Sequence, residues 1–321
     1  MGSEARPLSC WVVTDGKAGM ESQCVGLAEA LGLAPTVKRV RLRAPWRQLT
    51  PYFRVGGRAQ FARDSDVLAP PWPDLLIATG RHSVAASLLV KKLSGGRTKT
   101  VQLQNPAIGP RHFDLVVVPR HDELQGANVV STRGALHRIT PDVLRKGAER
   151  LAPRLAQLAR PYIGVLIGGS NAAYSLGPAE MAILARQLAA CARAMKASLL
   201  ITPSRRTGEQ PLRILKAELA QVPHYLWDMT GENPYFGLLG LADFLVVTGD
   251  SVNMVSEAAA TGKPVYVFDL PGGSAKFDRF HRALRAEDVT RPFAGTLAPY
   301  TYAPPDDVAT VVARVKALLH A

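Results

Sequence analysis

Short apolar runs recur along the chain, separated by longer stretches in which apolar positions return every three or four residues. The runs at 10–14, 74–78, 100–103, 115–118, 162–167, 198–202, 244–247 and 265–268 are largely apolar, with Val, Ile and Leu prominent, and 37–41 reads as a further, more polar strand. That pattern predicts strands buried on both faces, as in a parallel sheet. A further short strand is predicted near 225–226. Helical periodicity predicts helices over 21–31, 84–93, 178–195, 210–219, 252–261, 274–285 and 306–320, with another inside 142–160. Strand, glycine turn and helix open the chain and then open it again at 162, so the sequence reads as α/β with two Rossmann-like domains facing a cleft. The predicted boundary divides 1–158 from 159–321.

Polar residues gather just past the strand ends, where open α/β sheets take their ligands. After the first strand comes Asp15-Gly16-Lys17-Ala18-Gly19, which is either an anion-binding turn or a plain βα connection. It is too short for a Walker loop and does not match GxGxxG. Gly80-Arg81-His82 and Gln104-Asn105 follow the strands at 74–78 and 100–103. In the second half, Gly168-Gly169-Ser170-Asn171 is a glycine turn that could offer N–H donors to a diphosphate, and Ser204 and Arg205 follow the next strand like phosphate contacts. Thr248-Gly249-Asp250-Ser251 then leads into an Ala-rich helix, with Asn253 near its start. Asp250 or Ser251 can cap that helix, and Gly262 before Lys263-Pro264 stops it. Glu257 is the single carboxylate of this helix. It is either a ligand contact or a solvated helix residue. The span 44–72 mixes Trp46, Tyr52, Phe53 and Trp72 with Arg47, Arg54, Arg58 and Arg63. It fits a lid, an acceptor site, a membrane-facing patch or a packed insertion equally well.

Composition narrows the partners. The 321 residues are 47% hydrophobic and 20% charged, ordinary for a globular chain. The formal charge of +13 suits nucleic acid, anionic lipid or a polyphosphate-bearing substrate. Its basic residues are dispersed, which argues against a dedicated nucleic-acid module. Cys10, Cys24 and Cys191 lie far apart, so neither a disulfide framework nor a zinc site is expected. No apolar run approaches the roughly 18–20 residues that span a bilayer. The first residues lack a signal-peptide core, so a cytoplasmic location is expected, with peripheral contact at an anionic membrane surface as an option.

Gly168-Gly169-Ser170-Asn171-Ala172-Ala173 resembles the glycine loop of the nucleotide-sugar domain in GT-B glycosyltransferases, above all the GlcNAc transferases that make lipid II. Ser256-Glu257-Ala258-Ala259 with Gly262-Lys263-Pro264 resembles their donor helix. Asp15-Gly16-Lys17-Ala18-Gly19, Thr79-Gly80-Arg81, Leu103-Gln104-Asn105-Pro106, Ile167-Gly168-Gly169-Ser170 and Thr248-Gly249-Asp250-Ser251 together resemble the Elm family, named for elongated mitochondria. That resemblance covers most of the chain. It implies a GT-B-like fold whose last helix, 306–320, crosses back to the first domain. It also implies a nucleoside-diphosphate sugar as substrate rather than cofactor, bound through Gly168, Gly169, Ser170, Asn171, Ser204, Arg205, Gly249, Asp250, Ser251 and Asn253, with Glu257 accepting from the ribose hydroxyls. Gly16, Lys17, Gly19, Gly80, Arg81, Gln104 and Asn105 fall to an anionic or lipid-linked acceptor. No DxD motif stands where a donor Mg²⁺ would sit, so metal-independent transfer is expected. Where the lipid II enzymes carry a histidine in the first glycine loop, this chain has Met20, which leaves Asp15, Glu21 and His82 as candidate bases. The rival reading is a non-catalytic recruitment factor at a membrane surface, on the same scaffold. A nucleotide-sugar epimerase is disfavoured by the absence of GxGxxG and of a YxxxK pair.

Overall fold

A computed structural model describes residues 6–50, 52 and 56–320. The chain divides into two compact units, Met1–Arg138 with Asp306–Ala321, and Ile139–Pro305.

In the first unit the strands are β1 (Cys10–Thr14), β2 (Thr36–Arg39), β3 (Leu75–Thr79), β4 (Lys99–Leu103), β5 (Leu115–Pro119) and β6 (Val129–Thr132), and the helices are α1 (Ala18–Ala30), α2 (Trp46–Leu49) and α3 (Val84–Leu93). The strands form one parallel sheet in the order β2-β1-β3-β4-β5-β6. Chain direction across the sheet therefore reverses between β1 and β3. Val12, Leu75, Leu76, Ile77 and Val116 are fully buried, as continuous apolar runs in a covered sheet require. Two differences from the sequence reading bear on the site. Helix α1 starts at Ala18, ahead of the predicted 21, so Gly19 lies in its first turn and the β1–α1 connection shrinks to Asp15-Gly16-Lys17. Strand β6 was not anticipated: it is an edge strand, buried at alternate positions, so no apolar run marks it.

In the second unit the strands are β7 (Tyr162–Ile167), β8 (Ser198–Pro203), β9 (His224–Leu226), β10 (Phe244–Thr248), β11 (Val265–Phe268) and β12 (Thr290–Pro292). Its helices are α4 (Pro141–Leu151), α5 (Pro178–Met195), α6 (Glu209–Glu218), α7 (Tyr235–Leu241), α8 (Val252–Ala259) and α9 (Ala275–Ala286). The parallel sheet runs β12-β11-β10-β7-β8-β9, with its reversal between β7 and β10. One core layer packs α5 and α6 on the sheet through Met181, Leu184, Leu188 and Leu215. The opposite layer uses Leu238, Val255, Ala258 and Phe280. Helix α4 packs on α7 backbone to backbone, because a side chain at Gly147 would meet the amide of Gly237 at 2.7 Å.

The last helix, α10 (Asp307–His320), belongs to the first unit, where Val311 and Val315 complete the core around Leu27, Leu75 and Val101. Asp307 anchors its start by accepting from the amides of Arg133 and Gly134 at 2.8 and 3.2 Å. The fold class is thus α/β with two parallel sheets and a closing helix on the first.

Candidate functional site

In an open parallel sheet, the connections leaving two adjacent strands in opposite directions open a crevice at their carboxyl ends. The second unit has that reversal between β7 and β10, and the connections flanking it are 168–171 and 249–251. These are the two loops that the sequence singled out.

The internal bonding of these loops changes their roles. Asp250 is buried and acts as the clasp between them. Its carboxylate accepts from the Gly169 amide at 3.0 Å and the Thr248 hydroxyl at 2.6 Å, and pairs with the Arg206 guanidinium at 2.7 Å. The Gly168 amide donates to Thr248 Oγ1 at 2.8 Å, and the Gly249 amide to the Phe268 carbonyl at 2.9 Å. In this structure the amides of Gly168, Gly169 and Gly249 are therefore spent inside the protein rather than offered to a phosphate. Glycine is needed here for another reason: a Cβ at Gly168 would overlap the Asp250 carboxylate, and one at Gly169 the Arg206 backbone carbonyl. Asn171 closes its own turn, accepting from the Ala173 and Tyr174 amides at 2.7 and 2.9 Å and donating to the Asp250 carbonyl at 3.1 Å. Ser204 points inward too, its hydroxyl donating to the Gly168 carbonyl at 2.6 Å.

What remains facing outward is a smaller set. The amides of Ser170, Ser251 and Val252 have no acceptor among the described residues. Ser251 caps α8, its hydroxyl accepting from the Met254 amide at 3.3 Å, and the Val252 amide opens the helix just past the end of β10. Asn253 stands half-buried in that first turn. Arg205 is exposed and has no partner among the described residues, whereas its neighbour Arg206 holds the carbonyl of Gly169 at 2.8 Å besides Asp250. Sequence alone singled out Arg205 and missed Arg206, since adjacent arginines carry no signal of which one turns inward. His281 was also missed. It is buried on α9 and donates from Nε2 to the Gly249 carbonyl at 2.8 Å, and burial holds its imidazole neutral by lowering its pKa.

Glu257 is half-buried on α8 and accepts from the Tyr235 hydroxyl through Oε2 at 2.6 Å. Burial raises its carboxyl to about 7, and the Tyr235 hydrogen bond pulls the other way. Its second oxygen has no partner among the described residues. A carboxylate held on one side and open on the other is suited to accept from a ligand hydroxyl.

The first unit repeats the arrangement between β1 and β3. Gly16 turns the chain with φ 83°, and Gly80 with φ 78°, where a side chain would also press on Met20 Sδ at 3.1 Å. Asp15 is paired with Lys17 Nζ at 2.6 Å. Glu21 is held by Arg39 through both oxygens, at 2.9 and 2.8 Å, and that hydrogen bonding lowers its pKa. A carboxylate so engaged is a poor proton acceptor, which corrects the reading of Glu21 as a base. His82 is half-buried, makes no hydrogen bond among the described residues, and is kept neutral chiefly by burial. Asp15 opposes that shift, while Arg81, Lys17 and Arg47 add to it. Arg81 and Arg47 are exposed and unpaired among the described residues. Gln104 sits at φ 66° at the end of β4, and Asn105 accepts the Ala107 amide at 2.9 Å, closing a local turn. Among the described residues, no group of three or more His, Cys, Asp or Glu side chains converges as metal ligands, and no helix is long and apolar enough to cross a membrane.

The fold is shared with solved enzymes. Over 98% of this chain and all of the other, it superposes on the UDP-GlcNAc 2-epimerase of Methanocaldococcus jannaschii with TM-score 0.56 at 9% identity. The Neisseria meningitidis UDP-GlcNAc 2-epimerase, described as bound to UDP-GlcNAc, matches 97% of this chain and all of its own with TM-score 0.52 at 13% identity. These likenesses establish a GT-B-like fold. By sequence, the mitochondrial fission protein ELM1 of Arabidopsis thaliana is 29% identical across 95% of this chain and 90% of its own. Residues 18–319 match the family described as Mitochondrial fission ELM1, and the chain belongs to that family.

Proposed function

We propose that the protein binds a nucleoside-diphosphate sugar at the reversal point of its second sheet and transfers the sugar to an anionic acceptor taken up at the reversal point of its first. The observations that carry this reading are three unspent amides just past the carboxyl ends of β7 and β10 (Ser170, Ser251, Val252), an unpaired arginine past the end of the adjacent β8 (Arg205) and, on α8, the half-free carboxylate of Glu257. The amides and Arg205 suit the diphosphate, and Glu257 suits the ribose hydroxyls. A fold neighbour described as bound to UDP-GlcNAc supports the ligand class. Arg81, Arg47 and Lys17 suit a phosphate-bearing acceptor. In the transfer step an acceptor oxygen bonds to the anomeric carbon as the bond from that carbon to the diphosphate breaks. The electron pair leaves with the nucleoside diphosphate, and the acceptor proton passes to a base. His82 is the candidate base with the most suitable chemistry, being neutral and free of hydrogen-bond partners among the described residues.

A specific surface feature favours recruitment to an anionic membrane as the second reading. Residues 41–63 carry Arg41, Arg43, Arg47, Arg54, Arg58 and Arg63 and no acid. The neck of this excursion is closed by the Arg43 amide on the Gln60 carbonyl at 3.0 Å and the Ala62 amide on the Arg41 carbonyl at 2.8 Å. Beyond the neck, Leu49 and Tyr52 are exposed, and Tyr52 at 76% is too open to be a packed cover. Arg41 is paired with Asp64, but apolar tips beside the exposed Arg43, Arg47, Arg58 and Arg63 suit an anionic lipid surface.

Thermal stability with UDP, GDP, CDP and their sugars tests the first reading, because a ligand that binds only the folded state must raise the midpoint. No shift at millimolar concentration with any of them refutes it. Consumption of a sugar nucleotide without acceptor, with inversion within the sugar, would assign epimerase chemistry instead. Sedimentation with anionic vesicles at low and high salt tests the second reading, and no salt-sensitive binding refutes it.

A further inference from the structure

Tyr235 stands at the start of α7, a helix held unusually firmly. The Asn233 side chain accepts the Tyr235 amide at 3.0 Å. Helix α4 presses on α7 so closely that a side chain at Gly240 would meet the Leu144 carbonyl at 2.5 Å. The Tyr235 ring packs edge-on against Phe236, with centroids 5.7 Å apart. From this fixed base its hydroxyl donates to Glu257 Oε2 at 2.6 Å. Burial and the neighbouring carboxylate raise the Tyr235 phenol, so it stays protonated and remains a donor.

Other titratable groups packed around α8 spend their polar atoms elsewhere. Lys263 Nζ donates to the carbonyls of Leu239 and Gly240, both at 2.6 Å. The Tyr302 hydroxyl donates to those of Ala259 and Lys263, at 2.9 and 2.8 Å. His281 is engaged with Gly249, and Asp250 with Arg206. Tyr235 is left as the titratable partner of Glu257 among the described residues.

We propose that Tyr235 is a positioning residue for nucleoside recognition, fixing Glu257 through Oε2 so that Oε1 is presented to a ligand hydroxyl, and that this pair makes binding depend on pH. The inference rests on the proposed nucleotide site and adds a residue and a regulation that the site alone does not require. A glutamate loses rotamer freedom when a ligand orders it, and a preformed hydrogen bond removes that loss in advance. The acceptor is strongest when ionised. With the Glu257 carboxyl near 7, binding strengthens as pH rises through neutrality. Because the Tyr235 hydrogen bond favours the ionised form, its removal moves that transition to higher pH.

The test compares the full-length wild type with Tyr235→Phe in two measurements. Infrared difference titration, with Glu257→Gln marking the band, follows the Glu257 carboxyl directly. Calorimetry from pH 6 to 9 follows binding of whichever of UDP, GDP or CDP gives the largest thermal shift. The expected result is a carboxyl transition displaced upward in Tyr235→Phe, with binding weakened on the order of tenfold at pH 7 and recovering towards pH 9. Should Tyr235→Phe fold poorly, Glu257→Asp, which keeps the charge but shortens its reach to Tyr235, is expected to show the same loss at pH 7. An unchanged carboxyl transition overturns the inference. So does a binding loss equal at every pH, the mark of a purely structural role. Wild type that binds none of the nucleotides overturns the functional reading and this inference together, whereas wild-type binding with indistinguishable variants overturns the inference alone.

Discussion

Replacing Glu257 with Gln should stabilise the protein, and by an amount that depends on pH. The carboxyl lies near 7 in the folded chain against an ordinary value of 4.5. The folded state therefore holds this proton more tightly than the unfolded state does. Stability associated with the protonated group is fully present below about pH 4.5 and is lost as pH rises through about 7. A displacement from 4.5 to about 7 corresponds to about 3 kcal/mol at alkaline pH. Solvent reaching the free oxygen of this half-buried residue reduces the figure to about 1–2 kcal/mol. Glutamine keeps an acceptor for the Tyr235 hydroxyl and cannot ionise, so it escapes the loss. Urea unfolding of both proteins at pH 5 and pH 8 measures the difference. The Gln variant should lie within about half a kcal/mol of the wild type at pH 5 and exceed it by about 1–2 kcal/mol at pH 8. A gap of the same size at both values, or a less stable variant at pH 8, would refute the burial argument. A residue that costs stability where it stands calls for a functional explanation, and ligand recognition is the one advanced here.

Other outcomes follow from the same geometry. Gly169→Ala should destabilise the second unit by about 1–3 kcal/mol or prevent its folding, since its Cβ meets a backbone carbonyl that cannot swing aside; denaturant midpoints check this. Arg206→Ala leaves the buried Asp250 carboxylate with two neutral donors and should cost about 1–3 kcal/mol, while Arg205→Ala should leave stability unchanged within about half a kcal/mol and weaken nucleotide binding. Unfolding curves and calorimetry on the two variants separate these roles. His82→Ala should lower the transfer rate with little effect on nucleotide affinity, read from kcat and Kd in parallel.

Much of this was legible in the chain, for identifiable reasons. Runs such as Val-Leu-Ile at 165–167 and Leu-Val-Val at 245–247 are buried on both faces, and burial of that kind leaves an unbroken apolar signature. The edge strands β6 and β12 leave none, because Val129, Ser131, Arg291 and Pro292 face outward or sit half-covered. The glycine loops were found where the chain must turn at a strand end, but their purpose was not readable. Gly168 and Gly169 are small because Asp250 and Arg206 crowd them, and that crowding arises from strands distant in sequence. The same holds for Tyr235 and Glu257, which are 22 residues apart and meet only because α7 is pinned by the glycines it shares with α4. Glu21 illustrates the reverse case. Its position beside the first glycine turn suggested a base, and the approach of Arg39 from β2, the neighbour of β1 in the sheet, removes that capacity.

The most direct test of the account is a crystal structure of the protein grown with a nucleoside diphosphate, refined without reference to any relative. Diphosphate oxygens are expected within hydrogen-bond distance of the Ser170, Ser251 and Val252 amides and the Arg205 guanidinium, with a ribose hydroxyl on the free oxygen of Glu257. Nucleotide bound at the Lys17 and Arg81 cluster instead, or in the second unit with Glu257 still held only by Tyr235, would contradict it.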